Sequence, residues 1–390
     1  MTKLQQIGAA AQCEWRTICK DPWLRALALW LPPVLILALW LIFSAGIPND
    51  LPTGIIDLDR SSLSRALIRD LDASSTLKIS SRYSSMREGT AALRSGSVYA
   101  LLVIPHNFEV NVLRQKSPVV TAFFNSQYLL VAKVIRSTIY EIVTYFSVEL
   151  EVASLLPLVP AVKAAVNLSM PINVQMTPLY NQNFNYTQFL LPGLIVAFFQ
   201  VSLCSLAVLS IGQSFKPAAV SEWYGKEAGA ELTGKLLPYT VIFFIYGLAV
   251  SFLLFDLLNW PLQGALLPLV PLLLLFVVSC LALGVFFFVT TFELELGLIA
   301  ASGFSGPAFA FLGVTFPVSD MAPFPQLWRN LMPAGHFIDG FIHQANYAAG
   351  PAGLVQPALI LALFCLLLPL AVLLIKRRVE HLNDQISAAA

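Results

Sequence analysis

The sequence predicts an α-helical polytopic membrane protein with six transmembrane helices and an extracytoplasmic α/β domain inserted after the first. Three observations carry this prediction. Of 390 residues, 57% are hydrophobic and 12% charged, where an ordinary soluble domain has about 25% charged. Six segments reach the roughly 20 apolar residues needed to cross a bilayer core. Between the first two lies a long polar segment in which strand-like and helix-like runs alternate. This composition excludes a soluble globular protein, a disordered chain and a fibrous repeat. Lys+Arg number 23 and Asp+Glu 22. That balance gives no support for a nucleic-acid partner, which needs a clustered basic surface.

Residues 1–23 read as a cytoplasmic interfacial amphipathic helix. Leu4–Ile18 is expected in the interface plane, with Trp15 and Trp23 at headgroup depth, and Arg16 and Asp21 belong to the same interfacial segment. The first span is 24–45, with one charge, Arg25, near its start. It is too long for a signal-peptide core and lacks a clean small-residue cleavage site, so it is read as a retained anchor. The remaining spans are 189–212, 236–255, 262–289, 296–316 and 354–375, and none contains Asp, Glu, Lys or Arg. The fourth is long enough to tilt.

Orientation follows from Lys and Arg in the short flanks. Lys3, Arg16, Lys20 and Arg25 precede the first span; Lys216, Lys226 and Lys235 lie in the loop 213–235; Lys376, Arg377 and Arg378 open the tail 376–390. The loop Asp256–Pro261 has no Lys or Arg. Both termini are therefore expected in the cytoplasm, and 46–183 outside. That segment holds twelve Lys and Arg, but long domains translocate regardless of charge.

Segment 46–183 alternates strands and helices. Strands are expected at Thr53–Asp59, Leu77–Tyr83, Val98–Ile104 and Val119–Phe124, with helices at Ser61–Leu71, Ser85–Leu93, Phe108–Leu113 and Gln127–Ala153. Such alternation predicts a largely parallel sheet. Asp57 and Asp59 are read as capping the turn before the first of these helices, and His106 as a surface or capping residue. Residues 154–183, rich in Pro, Asn and Gln, return the chain to the membrane.

Chemistry-bearing motifs are few. Cys13 and Cys19 precede the first span, while Cys204, Cys280 and Cys365 lie in apolar runs, so neither a disulfide framework nor zinc spacing is present. Gly229–Leu236 (GAELTGKL) falls short of a phosphate-binding loop: Leu236 stands where Ser or Thr would hold Mg²⁺, and no strand precedes it. No cofactor is expected on this chain. ATP and Mg²⁺, if used, belong to a partner.

Four stretches in order resemble the ABC-2-type transporter permeases, in the subgroup with a large first extracytoplasmic loop. They are Glu14–Pro22 (EWRTICKDP), Ile55–Ser64 (IIDLDRSSLS), Gly96–Phe108 (GSVYALLVIPHNF), and Phe316-Pro317 with Met321-Ala322-Pro323, Met332-Pro333 and Phe337-Ile338-Asp339. The resemblance covers nearly the whole chain. The loop Ser221–Leu232 keeps the family's acidic and glycine pattern without its Arg and Thr. The resemblance implies the membrane subunit of a bacterial inner-membrane ABC-2-type exporter. Its partners would be a nucleotide-binding ATPase subunit, a second permease (the same chain or a paralogue), membrane lipid, and a periplasmic adaptor of a tripartite efflux system.

Under that resemblance, Glu222, Trp223, Tyr224, Lys226 and Glu227 in the loop 213–235 would couple to the ATPase: the charges share a helix face and the aromatics offer an anchor. Glu293 and Glu295 are a second contact or a solvated turn. The segment 317–347 would form extracytoplasmic re-entrant half-helices. Its Arg329, His336, Asp339 and His343 are functional candidates at membrane depth, or headgroup-level anchors. Gly297, Ala301, Gly303 and Gly306 allow close helix approach, either at a dimer seam or within one subunit. The competing class is a non-transporting receptor or cell-wall secretion component of related topology, which would carry a longer, repetitive outer domain. Uncharged spans count against an ion-coupled transporter.

Overall fold

Helix α1, Lys3–Lys20, starts on a capping box. The Thr2 hydroxyl accepts the Gln5 N–H, and the Gln5 side chain accepts the Thr2 N–H at 3.0 Å. Its inward stripe runs Ile7, Ala10, Glu14, Ile18, at helical spacing. Asp21 breaks the helix in an extended conformation and caps the next one, accepting from Trp23 and Leu24 at 2.8 and 3.0 Å. Pro22 fills the first helical position, where no N–H is needed. Helix α2, Pro22–Phe43, is the first candidate span, with a π turn at Ala26–Trp30. Pro33 withholds the amide that would bond the Leu29 carbonyl, and the Tyr246 hydroxyl donates to that carbonyl instead, at 3.0 Å.

The structure, a computed structural model, describes residues 2–44, 46–157, 162, 166, 169, 179–181, 185–215 and 227–389, with side chains to 381. The chain divides into two units, Met1–Ser44 with Asn185–Ala390, and Ala45–Phe184. The predicted return of 154–183 to the membrane falls mostly outside the described residues.

The second unit is a four-stranded sheet with flanking helices. The strands are β1 Leu51–Asp57, β2 Leu77–Arg82, β3 Ala100–Ile104 and β4 Thr121–Phe124. Their order is β2-β1-β3-β4; β1 pairs parallel with β2 and β3, and β4 runs antiparallel to β3. The intervening helices are α3 Ser62–Asp72, α4 Met86–Arg94, α5 Phe108–Leu113 and α6 Leu129–Leu155. Ile55, Leu102 and Ile104 of the sheet share a core with Leu67, Leu71, Ile135 and Ile139.

Strand β1 stops two residues before its predicted end because Asp57 turns the chain. Its Oδ1 accepts from the amides of Asp59 and Arg60 at 3.1 and 2.9 Å, and its Oδ2 accepts from the Ser64 hydroxyl. Ser61 is the N-cap of α3. Asp59 serves another helix: its Oδ2 accepts the Glu109 amide at 3.0 Å, at the start of α5. His106 is exposed.

The first unit resumes with α7 Tyr186–Ser214, α8 Ala228–Leu257, α9 Leu269–Thr291 and α10 Leu294–Phe311. Short helices α11 Pro323–Asn330 and α12 Pro333–Ala345 follow, then α13 Gly350–Cys365 and α14 Leu367–Ala389. With α2, six helical stretches among the described residues are long and apolar enough to cross a membrane, the last running Pro351–His381. In α7 and α9, 72% of the most apolar window is buried, against 17–28% in the other four. These two are the centre of the bundle. A Cβ on Gly284 would strike the Cys204 backbone, so glycine lets the two axes approach.

Several boundaries differ from the sequence reading. Residues 228–235, read as loop, are the first two turns of α8. The fourth span begins at Leu269, not 262: Gly264 packs against Gln344, Gln263 donates its amide to Ala345, and Pro268 is the helix N-cap. The fifth is broken at Gly306-Pro307 and ends at Phe311, before Gly313 in the left-handed region (φ 85°).

Candidate functional site

Three side chains from α7 and α8 converge on Glu14 of α1. It is 1% exposed, on the inward face of the amphipathic helix α1. Its Oε2 accepts from the Lys235 ammonium at 3.0 Å. Its Oε1 accepts from the Ser210 and Tyr239 hydroxyls, each at 2.7 Å. Lys235 and Tyr239 are four residues apart, one above the other on α8; Ser210 comes from the end of α7. The pair is 8% or less exposed on either side. A buried carboxylate persists as a charge only when paired and hydrogen-bonded, and here both oxygens are.

Around this centre α1 is clasped along its length. A Cβ on Gly234 would lie 2.5 Å from that of Ala10 and 2.6 Å from the Ile7 carbonyl. Glycine there lets the backbones touch. At the outer end Lys3 pairs with Glu227 at 3.1 Å. At the other end Gln213 donates to Asp21 Oδ2 at 3.2 Å. The Leu24 amide, with those of Trp23 and the Gln213 side chain, holds the Asp21 carboxyl below its usual value of 3.8 despite partial desolvation. Trp15 and Arg16 are exposed on the opposite face of α1, and Trp23 is exposed at the start of α2.

Of the loop residues read as coupling contacts, Glu222, Trp223, Tyr224 and Lys226 lie outside the described residues. Glu227 is described and binds α1 through Lys3. Glu293 and Glu295 are exposed at the start of α10. Nearby, Arg378 stacks over the Phe292 ring at 5.5 Å. That places the Lys376–Arg378 stretch by the ends of α7 and α9, because Phe215 also packs on Phe288 and Phe292.

The other end of the bundle carries the second cluster. Arg329, 5% exposed on α11, pairs with Asp339 of α12 at 2.5 Å. It also donates to the carbonyls of Gly335 and Leu312 at 3.0 and 3.3 Å. Through Leu312 the guanidinium satisfies a carbonyl freed where α10 ends. His336 lies beside it and donates through Nε2 to the Asn330 carbonyl at 2.9 Å. His343 is apart from these three, exposed against the Tyr347 ring. Gln200, 0% exposed on α7, accepts the Ala334 amide at 2.9 Å and so caps α12 from the bundle centre.

The proposed helix seam divides. Gly297 and Ala301 are buried within this chain, and a Cβ on Gly297 would meet Val208 at 3.0 Å. They serve packing of α10 on α7. A Cβ on Gly303 would meet nothing within 4 Å, and Gly306 is exposed. The seam reading therefore rests on Gly303 and Gly306 alone.

The profile of the ABC-2 family transporter proteins matches residues 22–374. The chain belongs to this family. As an ABC-2 family permease it is a multi-pass membrane protein and a non-catalytic transporter subunit, of a kind that associates with a separate ATPase. No curated protein matches the chain.

Sequence reading of this ABC-2 transporter passed over Glu14, Lys235, Tyr239 and Ser210. The signals were present. Glu14 falls on the apolar stripe of α1, at i+4 from Ala10 and i−4 from Ile18, where a solvated carboxylate does not belong. Lys235 and Tyr239 share a face at the mouth of an otherwise uncharged span.

Proposed function

We propose that this ABC-2 permease is the membrane subunit of a bacterial exporter. It sits in the inner membrane with both termini cytoplasmic and moves an amphipathic or hydrophobic cargo outward on ATP hydrolysed by a partner chain. The observation that carries this is the Glu14 clasp. An amphipathic helix at one end of the bundle is bonded by buried charge to the end of α7 and the start of α8. A push on α1, or on the segment leading into α8, is therefore passed to two spans at once, one of them central.

The distribution of charge supports the orientation. Lys3, Arg16, Lys20, Arg25 and Lys376–Arg378 gather at the Glu14 end. From 236 to 375 the single Lys or Arg is Arg329, already paired with Asp339. The basic end is then cytoplasmic, and 46–183 lies outside, where it would hand cargo to a periplasmic adaptor. Two permeases, identical or paralogous, would rock against each other, with Gly303 and Gly306 near their seam.

The decisive experiment is a gentle-detergent pull-down of the tagged chain from its native host, with ATP turnover assayed. Recovery of an ATPase subunit with turnover is expected; no ATPase and no turnover would overturn the exporter reading. In the same assay, Trp223→Ala with Glu227→Ala should lose the ATPase without loss of membrane insertion. Crosslinking of 46–183 should capture an envelope protein, and a survey that finds none removes the adaptor from the scheme.

A further inference from the structure

At the end of the bundle away from Glu14, α7, α8, α9 and α12 leave a cleft of about 200 Å³. Phe199, Phe252, Phe276, Phe337 and Phe341 line it. Phe276 and Phe337 stack at 4.6 Å and form a buried floor. Ser251 reaches its wall. Among the described residues one ionisable group lines it, Asp256, exposed in the π turn that ends α8. Asp256 makes no ion pair and no side-chain hydrogen bond among the described residues.

We propose that this cleft binds an organic cation with an aromatic or aliphatic body, its charge held at Asp256 and its body among the phenylalanines. The sign of the ligand follows from what surrounds the cleft. A phospholipid or other anionic amphiphile needs a Lys or Arg at its head. None occurs from 236 to 375 except Arg329, whose guanidinium is committed to Asp339, Gly335 and Leu312. The stretch 253–268 carries one charged side chain, and it is negative. A free carboxylate at the rim of a low-dielectric slot attracts a cation more strongly than it would in water. Aromatic faces add attraction for a weakly hydrated cation. A neutral amphiphile would leave Asp256 idle, and an anionic one would be repelled by it.

The proposal deepens the permease reading by naming a class of cargo, but binding is measurable on the chain alone. The purified full-length protein, in nanodiscs without ATPase or nucleotide, would be photolabelled with (4-benzoylbenzyl)trimethylammonium and, in parallel, with 4-benzoylbenzoate. The two share one aromatic body and differ in sign. The cation is expected to label peptides within Leu248–Phe276 saturably, and the anion to label them no more than it labels the rest of the chain. Asp256→Asn should weaken cation labelling about tenfold with an unchanged elution profile. Ser251→Trp, which fills the slot, should remove it. Equal labelling by both probes would make the cleft a slot for any apolar chain and overturn the proposal, as would undiminished labelling of Asp256→Asn. Failure to recover an ATPase leaves this result standing, and failure of labelling leaves the pull-down standing.

Discussion

Lys235→Met leaves the Glu14 carboxylate buried without its counter-charge. Breaking a buried pair from one side costs about 3–5 kcal/mol, because the remaining charge is desolvated and uncompensated. The variant should unfold at markedly lower temperature in detergent. The double change Glu14→Gln with Lys235→Met leaves no lone charge and should recover most of that loss. Equal destabilisation in the single and double variants would mean that packing, not the charge, holds the site. Asp21 gives a pH dependence. Its folded pKa lies below the ordinary carboxylate value of 3.8, through the Leu24 and Trp23 amides and Gln213. Its contribution is therefore fully present above the unfolded value and is lost as pH falls through the depressed one. Asp21→Asn should remove this acid-sensitive step in a melting series below pH 3.8, while keeping an oxygen for the cap.

At the scale of elements, glycine marks where helices must touch and where they need not. Gly234→Ala would press a methyl against Ala10 and the Ile7 carbonyl. A backbone oxygen cannot rotate away, so overpacking of about 1–3 kcal/mol is expected, with α1 loosened from α8. Faster proteolysis at 1–20 would show it. Gly303→Ala meets nothing within 4 Å inside a helix and should stabilise the isolated chain by roughly 0.5–1 kcal/mol. If the same substitution weakens recovery of a second permease in pull-downs, Gly303 lies at the seam. No change in recovery would place the seam elsewhere.

Across the whole molecule, the chain leaves and re-enters the membrane-type bundle at neighbouring points. The Thr187 hydroxyl donates to the Phe43 carbonyl, so the two ends of the intervening segment meet. The two units keep separate cores, one around α7 and α9 and one on the four-stranded sheet. Replacing 46–183 by a short Gly/Ser linker should therefore leave the first unit folded. A monodisperse detergent peak with the Lys235→Met effect intact would show this. Aggregation of the linker variant would show that the bundle depends on the second unit.

Composition and periodicity were enough for six spans and a strand–helix alternation in 46–183, because length and apolarity act locally. The edges were less legible. The start of α9 and the end of α10 depend on Gly264 against Gln344 and on the left-handed turn at Gly313, which are contacts and conformations, not composition. The resemblance in four motifs gave the family, and residues 22–374 match it. Tertiary structure alone decided which charged residues matter. Glu14 and Lys235 are 221 positions apart, so no window over the sequence joins them. Arg329 read as a functional candidate at membrane depth or a headgroup-level anchor, and the fold commits its guanidinium to Asp339, Gly335 and Leu312. Gly297 and Gly303 have the same side chain and the same helix, and only packing separates a buried contact from an open face. Local chemistry fixes what each segment can become; which polar groups face each other out of water is fixed only when the helices meet.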